Sequence, residues 1–420
     1  MANTYLTRSL ASTNTSWTFS AWVKRSGITA TNYLISWGNS GTDATGIGFA
    51  SSDELFYYSE DGGDNKQRKT SAKYRDTNAF YHIVCKCDAN AITLYVNGEE
   101  PTQSWTVGSS ANPLDTSTMA IGKWVTSAYY HNGSMSHIHF IDGTAYDATA
   151  FGQYDANGVW TIKTSPSVTY GTNGFFILKD GNSVTDQSGE GNNFTVAGGT
   201  LTNTEDNPSN VFATLNPLVN NAGAMMALTK GNLTCESTTT SPAWKLAVST
   251  LGMSSGKYYW EVKFDNVHNS YNTGVLGSNI LVANTTNPMN QTGYTGFYNI
   301  DGGEIKKDGS DTTADYGTYA TNDIMGIACD MDNYTITFYK NGVAHVSDVT
   351  LSTTGRDMVF PCSVHYQTNG GVQSSYNFGN GYFGTTAVSS AGTNASGNGI
   401  FEYDVPTGGY TALSTKGLNL

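Results

Sequence analysis

The stretch Ala328-Cys-Asp-Met-Asp-Asn-Tyr-Thr-Ile-Thr-Phe-Tyr-Lys-Asn-Gly-Val343 nearly repeats an earlier one, Cys87-Asp-Ala-Asn-Ala-Ile-Thr-Leu-Tyr-Val-Asn-Gly-Glu99. In both, an Asp/Asn turn leads into alternating apolar and polar positions (Ile92, Leu94 and Val96; Ile336 and Phe338) and then into Asn-Gly. Alternation with period two marks a half-buried strand, and Asn-Gly enters positive φ at little cost, which suits a type I′ hairpin turn. Each copy therefore predicts a strand between two turns. The flanking sequences differ enough to predict two related but distinct β-sandwiches, not two copies of one domain.

Composition agrees. The chain has 420 residues, 38% of them hydrophobic, enough for more than one packed core. Charged residues make up only 13%, while Gly (47) and Tyr (26) abound, the mixture expected of short strands joined by many turns. A net charge of -13 leaves no basic stripe to neutralise a phosphate backbone, which argues against nucleic acid as a partner. Five cysteines without a CxxC spacing read as buried free thiols. Cys85 and Cys87 share one strand face and are poorly placed to bond each other. The amino-terminal residues lack the apolar run of a signal peptide, and no apolar stretch is long enough to cross a bilayer, so a soluble product without membrane insertion is expected.

Trp17-Thr-Phe-Ser-Ala-Trp-Val-Lys24 alternates so that Trp17, Phe19, Ala21 and Val23 share a face, and further short strands are predicted at 33–37, 46–49, 55–59, 81–87, 92–97, 119–122 and 133–142. Phe19-Ser-Ala-Trp-Val-Lys24, Phe80-Tyr-His-Ile-Val84, Leu94-Tyr-Val-Asn-Gly98 and Gly133-Ser-Met-Ser-His-Ile-His-Phe-Ile-Asp142 together resemble the laminin-G-like, concanavalin A-like jelly-roll family, over residues 1–150. Residues 151–222 loosen into Gly/Asn/Ser/Asp-rich sequence that can wrap a sandwich but cannot make its own core. There, Gly171-Thr-Asn-Gly-Phe175, Asp186 to Phe194 and Asn207 to Pro217 resemble a connector of structural proteins of tailed bacteriophages.

A second sandwich is expected over 223–380. Its strand Gly256-Lys-Tyr-Tyr-Trp-Glu-Val-Lys-Phe264 puts Tyr258, Trp260, Val262 and Phe264 on a core face, and Tyr259, Glu261 and Lys263 on a face that is wet or covered. With Gly293-Tyr-Thr-Gly-Phe297, Asp323 to Asp330, Ile336 to Gly342, Val359-Phe-Pro-Cys362 and Tyr376-Asn-Phe-Gly379, it resembles the SPRY family. Residues 381–420 read as a Gly/Ser-rich mobile or extended linker followed by a docking segment whose apolar residues (Phe401, Tyr403, Val405, Tyr410, Leu413, Leu418) seek a domain or a neighbouring subunit. That ending resembles the close of phage virion proteins.

The sequence offers little for catalysis. No cluster of carboxylates on one strand supports glycoside hydrolysis, and no nucleophile elbow or P-loop occurs. Glu261 and Asp265, with Lys263 between them, read as a surface ion pair. His137 and His139, two apart on a predicted strand, read as packed or surface histidines, not metal ligands. Calcium is the one cofactor with donors on offer: Asp43, and Asp61 and Asp64 in Glu60-Asp-Gly-Gly-Asp-Asn65, lie in oxygen-rich turns, though acidic turns without metal are the favoured reading. A sugar needs exposed rings beside hydrogen-bonding side chains. Candidates in predicted loops are Tyr129, Tyr130, His131 and Asn132 in the first domain and His268, Tyr271, Tyr298, Asp301, His365 and Tyr366 in the second.

The expectation is an all-β protein of two antiparallel sandwiches without enzymatic activity. The resemblances imply a phage virion surface protein, made in the host cytoplasm, that packs against other virion proteins and copies of itself. As a tail-fibre or receptor-binding component it would contact host-surface carbohydrate or protein. The alternative is a capsid-decorating or fibre-forming subunit with no sugar partner.

Overall fold

The computed structural model describes residues 3–179, 181, 183–219, 225–237, 243–267, 271–281, 287–299, 302–312, 314–367 and 371–419. Strands make up 49% of it and helix 3%, so the fold is all-β. Two compact units form: Met1–Asn203 with Asn207–Ser209, and Thr204–Asp206 with Asn210–Leu420. The stretch expected to be a connector is thus divided, its first 53 residues, 151–203, belonging to the first unit.

In the first unit an eight-stranded sheet runs, edge to edge, Thr195–Gly198, Tyr5–Ser9, Thr118–Ile121, Asn32–Ser40, Asp43–Phe49, Glu54–Asp61, Asp64–Lys73 and Gln103–Val107. A five-stranded sheet runs Phe175–Ile177, Gly133–Asp142, Trp17–Arg25, Phe80–Asp88 and Ala91–Val96. Every pairing is antiparallel. Between the sheets the alternate residues named from sequence (Trp17, Phe19, Ala21, Val23) meet Ile35, Trp37, Ile47, Phe49, Leu55 and Tyr57 in one core. The aromatic centre is close-packed, with Trp17 edge-on to Trp37 at 5.1 Å between ring centroids. The hairpin after Ala91–Val96 turns as the sequence requires, Asn97 and Gly98 both taking positive φ (52° and 85°).

The second unit repeats the plan with other strands. One sheet runs Ala227–Thr229, Thr234–Glu236, Gln373–Asn377, Lys257–Asn266, Ile324–Asp330, Thr335–Lys340 and Val343–Thr350. The other runs Ala243–Val248, Val359–Gln367, Tyr271–Gly277, Tyr294–Asn299, Glu304–Lys307 and Ser310–Asp311. Tyr258, Trp260, Val262 and Phe264 point into the core, as their spacing requires, against Tyr271, Val275, Phe297, Ile305 and Val359.

The tail departs from the linker expectation. Residues 388–399 are folded back: the Val388 amide donates to the Gly381 carbonyl, Gly392 N–H to Phe401, and the Thr393 amide and hydroxyl both to the Asp404 carboxylate. Phe401, Val405 and Ala412 are buried against Phe212, Tyr259 and Ala328, and Thr411–Ala412 pairs in parallel with Tyr258–Tyr259. The docking segment therefore binds its own second unit. All five cysteines are free and buried.

Candidate functional site

In each sandwich a chain segment packs over the outer face of a central sheet. In the first unit residues 143–170 cover the five-stranded sheet, with Tyr146, Phe151, Trp160, Val168 and Tyr170 packing on Val84, Tyr95 and Ile141. The hairpin Gly152–Tyr154 and Trp160–Ile162 presses the Trp160 ring onto Gly98, where a Cβ would fall 2.5 Å from the ring. Trp160 Nε1–H donates to His82 Nδ1 (3.0 Å), which leaves His82 Nε2 to carry the proton and donate to Ser20 Oγ at 2.9 Å. Burial pushes the His82 pKa down to about 3. Ser20 and His82 touch, but this tautomer has no lone pair turned to the hydroxyl, so the pair cannot serve as nucleophile and base.

The outer face of the eight-stranded sheet carries a different surface. Tyr33, Phe56 and Tyr58 project from it, and the 122–132 loop folds back over it through Gly122 N–H to Leu34 O (2.8 Å), His131 N–H to Gly122 O (2.8 Å) and Ser26 N–H to Asn132 O (2.8 Å). Trp124 lies on Gly46, where a Cβ would come within 2.9 Å of its ring, and its centroid is 4.4 Å from Tyr33. Above them Tyr129 is 50% exposed, its ring 6.3 Å from that of Tyr33. Tyr58 Oη lies 2.9 Å from both Glu60 Oε2 and Asn65 Oδ1, and its pKa is pushed up to about 12 by burial and the Glu60 carboxylate. Rings beside carboxylate and amide oxygens are the elements that hold a pyranose: a stacking platform and acceptors for its hydroxyls.

The sequence candidates of the first domain do gather on this loop, with unequal roles. Tyr129 and the Asn132 side chain are exposed. Tyr130 is half-buried beside Tyr5, with the Lys123 ammonium 4.4 Å over the Tyr5 ring and 5.6 Å over Tyr130. His131 instead turns inward, its Nδ1 at 3.2 Å from Asn32 Oδ1, and burial lowers its pKa to about 3. Tyr33 and Tyr58 were not singled out from sequence, because an aromatic residue on an outer sheet face alternates just as a core residue does.

The acidic turns also come together. Register places Asp43 opposite Asp61 and Asp61 opposite Asp64 at one rim of the sheet. Asp64 is paired with Lys66 (2.5 Å) and Asp43 accepts from the Asn39 amide (3.3 Å). Among the described residues no three carboxylates, imidazoles or thiols are placed to hold a metal ion. His137 and His139 are separated by a bulge, His137 having φ 48°. His139 is buried, bonded to Tyr170 Oη at 2.9 Å and stacked on Phe176 at 3.9 Å.

In the second unit the loop expectation is corrected for two candidates. Tyr271 and His365 lie opposite each other on neighbouring strands, rings 4.4 Å apart, buried in the intersheet core with Tyr271 Oη 3.1 Å from Ser363 Oγ. The strands reach further than their turn-rich sequence suggests, and alternation sends these two side chains inward. Tyr298 and Tyr366 point to the opposite face. There Trp244 joins them, 4.8 Å from Tyr366 and 6.5 Å from Tyr298, with Lys306, held by Asp311 at 2.8 Å, 5.9 Å over the Tyr298 ring. His268 and Asp301 lie outside the described residues.

Glu261 is likewise corrected. It is fully buried, and its carboxylate accepts the Glu402 and Tyr403 backbone N–H groups (2.9 Å each), Asn377 Nδ2 (3.2 Å) and Tyr259 Oη (3.3 Å). Asp265 accepts from the Ser375 hydroxyl instead. The expected surface pair of Glu261, Lys263 and Asp265 is absent among the described ion pairs, because the tail covers this face.

Residues 2–150 match the family described as the concanavalin A-like lectin/glucanases superfamily, and residues 257–381 match the SPRY domain. No curated protein sequence matches the chain. Among solved structures, the SPRY domain of human HERC1 aligns at 17% identity over 39% of this chain and 96% of that one, TM-score 0.30. The TRIM65 PSpry domain aligns at 16% over 39% and 91%, TM-score 0.32. The heptameric SAP-like pentraxin from Limulus polyphemus aligns at 17% over 35% and 73%, TM-score 0.29. The chain thus contains a concanavalin A-like domain and an SPRY domain, classes that generally bind without catalysing.

Proposed function

We propose that this chain is a non-catalytic binding protein of a tailed-phage particle surface, a tail-fibre or receptor-binding component that holds host-surface glycans. The observation that carries the reading is the half-exposed Tyr129 ring beside Tyr33 on the outer face of the eight-stranded sheet, with Asn132 on the same loop and Glu60 and Asn65 on the same sheet. The mechanism is stacking of a sugar's apolar face on the aromatic surface while its hydroxyls bond the acceptors around it. Contact at one such site is weak, and many copies on one particle bind by avidity. The phage assignment is supported by the connector and tail sequences described above.

The test is a glycan array read with the full chain and with Tyr129→Ala. Binding to a glycan subset, weakened about tenfold by the substitution as for the loss of one stacking contact, is the expected result. An array with no binding, or binding indifferent to Tyr129, would sink the reading. A second reading, an architectural subunit, is favoured by the edge strand Val343–Thr350, whose Val343 is 70% exposed beside unpaired backbone. It predicts concentration-dependent assembly in light scattering that Val343→Lys abolishes.

A further inference from the structure

The outer face of the eight-stranded sheet is aromatic at its centre and cationic at both flanks. Register puts Tyr33, Gly48, Phe56 and Lys69 in one row across four neighbouring strands. Lys69 therefore stands on the same outer face as the rings, next to Phe56 and diagonal to Tyr58. Lys73 follows on that strand, opposite Glu54. On the other flank Tyr5 is level with this row to within a residue, and the Lys123 ammonium lies 4.4 Å over its ring. Five strand spacings, about 24 Å, separate the strand of Tyr5 from that of Lys69, and the exposed Tyr129 ring lies between them.

The charges on this face are unevenly matched. Among the described residues Lys66, Lys86, Lys257, Lys306 and Lys340 each lie within ion-pair distance of an aspartate, whereas Lys69, Lys73 and Lys123 are in no ion pair. Glu54 feels the field of both Lys69 and Lys73, but its carboxylate accepts from the Ser52 hydroxyl. Glu60 is engaged by Tyr58 and lies four residues along the strand from Phe56, about 14 Å away. Lys69 is half-buried, and an ammonium there without a carboxylate partner is a ready contact for an anion on a ligand. The net charge of -13 does not oppose such a contact, because at physiological salt charges beyond about 8 Å are largely screened.

We propose that the ligand of this face is an acidic glycan, a carboxylate- or sulfate-bearing oligosaccharide that stacks on Tyr129 while its anionic groups meet Lys69 and Lys73 on one flank and Lys123 on the other. The inference rests on the glycan-binding reading above and adds the charge of the ligand to it. A neutral sugar offers these lysines only hydroxyls. A carboxylate or sulfate makes charge-assisted hydrogen bonds with them, about twice as strong as neutral ones. Cations on two flanks with rings between them fit a chain that carries anions on more than one of its units.

The experiment is the glycan array titrated with the full chain, its members sorted as neutral, uronate-bearing and sulfated. The expected result is a preference of about tenfold for uronate-bearing or sulfated members over neutral ones at about 0.05 M salt, and which of the two is held identifies the anion. That preference is expected to shrink to about twofold at about 0.5 M salt and in the double variant Lys69→Gln, Lys123→Gln. Neutral members bound as tightly as acidic ones, with binding still lost in Tyr129→Ala, overturn this proposal and leave the glycan reading standing. A preference for acidic members that neither salt nor the double variant reduces overturns it as well. Binding to no member, or binding indifferent to Tyr129, overturns the glycan reading and this inference with it. Should the double variant not fold, the salt series on the unmodified chain decides.

Discussion

The first sandwich hides the outer face of its five-stranded sheet under residues 143–170, and the second hides the face of Lys257–Asn266 under its C-terminal strap, yet the two covers are fastened by opposite chemistry. The first fastening is a neutral stack, in which the Trp160 ring seats on glycine and its N–H meets an uncharged His82. The second is a buried carboxylate whose only visible compensation is a set of donors, half of them carried by the cover itself. One plan, a sandwich with one face closed by local chain, is thus reached by shape in one unit and by charge in the other. The other outer face carries aromatic rings in both: Tyr33, Tyr58 and Tyr129 in the first, Trp244, Tyr298 and Tyr366 in the second.

The comparison breaks most sharply at Glu261. Glu261→Ala leaves two buried strap amides without their acceptor and is expected to cost the second sandwich about 3–5 kcal/mol while leaving the first unchanged, as read by exchange mass spectrometry over a denaturant series. Trp160→Ala, the matching cut in the first sandwich, removes a half-buried ring and one hydrogen bond, and an expected loss of about 2–4 kcal/mol falls on the first sandwich alone.

Acidification sharpens the contrast without a substitution. His82 and His139 are held neutral by burial, well below the ordinary histidine value of 6.5, so the stability they contribute is present above that value and is lost as pH falls below it. Lowering the pH to 5 is expected to cost the first sandwich about 2 kcal/mol through His82 alone, with His139 acting in the same direction. In the second sandwich His365 pulls the same way, but Glu261 gains as it protonates, so the two offset over that interval. Thermal scans at pH 7 and pH 5 in which both sandwiches soften equally would contradict this balance. The smallest effect on stability belongs to Tyr129→Ala, an exposed position where a change within about 0.5 kcal/mol is expected in the same scans, leaving its consequence to glycan binding.

Much of this architecture could be read from the residues. The runs at Trp17 and at Gly256 alternate over long stretches, and each became a central strand with the inward set foreseen, because a buried face tolerates no slip of register. The Asn-Gly turns at 97–98 and 341–342 formed with positive φ at both residues. Asp64–Lys73 and Gln103–Val107 escaped notice. They are polar strands near an exposed edge, joined to each other by backbone pairing and by polar side chains (Arg68 to Gln103, Thr106 to Gln67), and so carry no apolar rhythm. The sites were less legible. Tyr129 announced itself by sitting in a loop, but Trp244 and Tyr366 meet only across neighbouring strands, and Glu261 met its partners 141 and 142 residues along the chain.

The five free thiols have a consequence of their own. Each lies sealed inside a core, and burial raises the pKa of every one above its ordinary value, keeping it protonated and unreactive at neutral pH. The described chain is held by packing and hydrogen bonding without a single covalent cross-link. Passage from a reducing compartment to an oxidising one then asks for no maturation step, and mild oxidants or reducing agents should leave both sandwiches as they were.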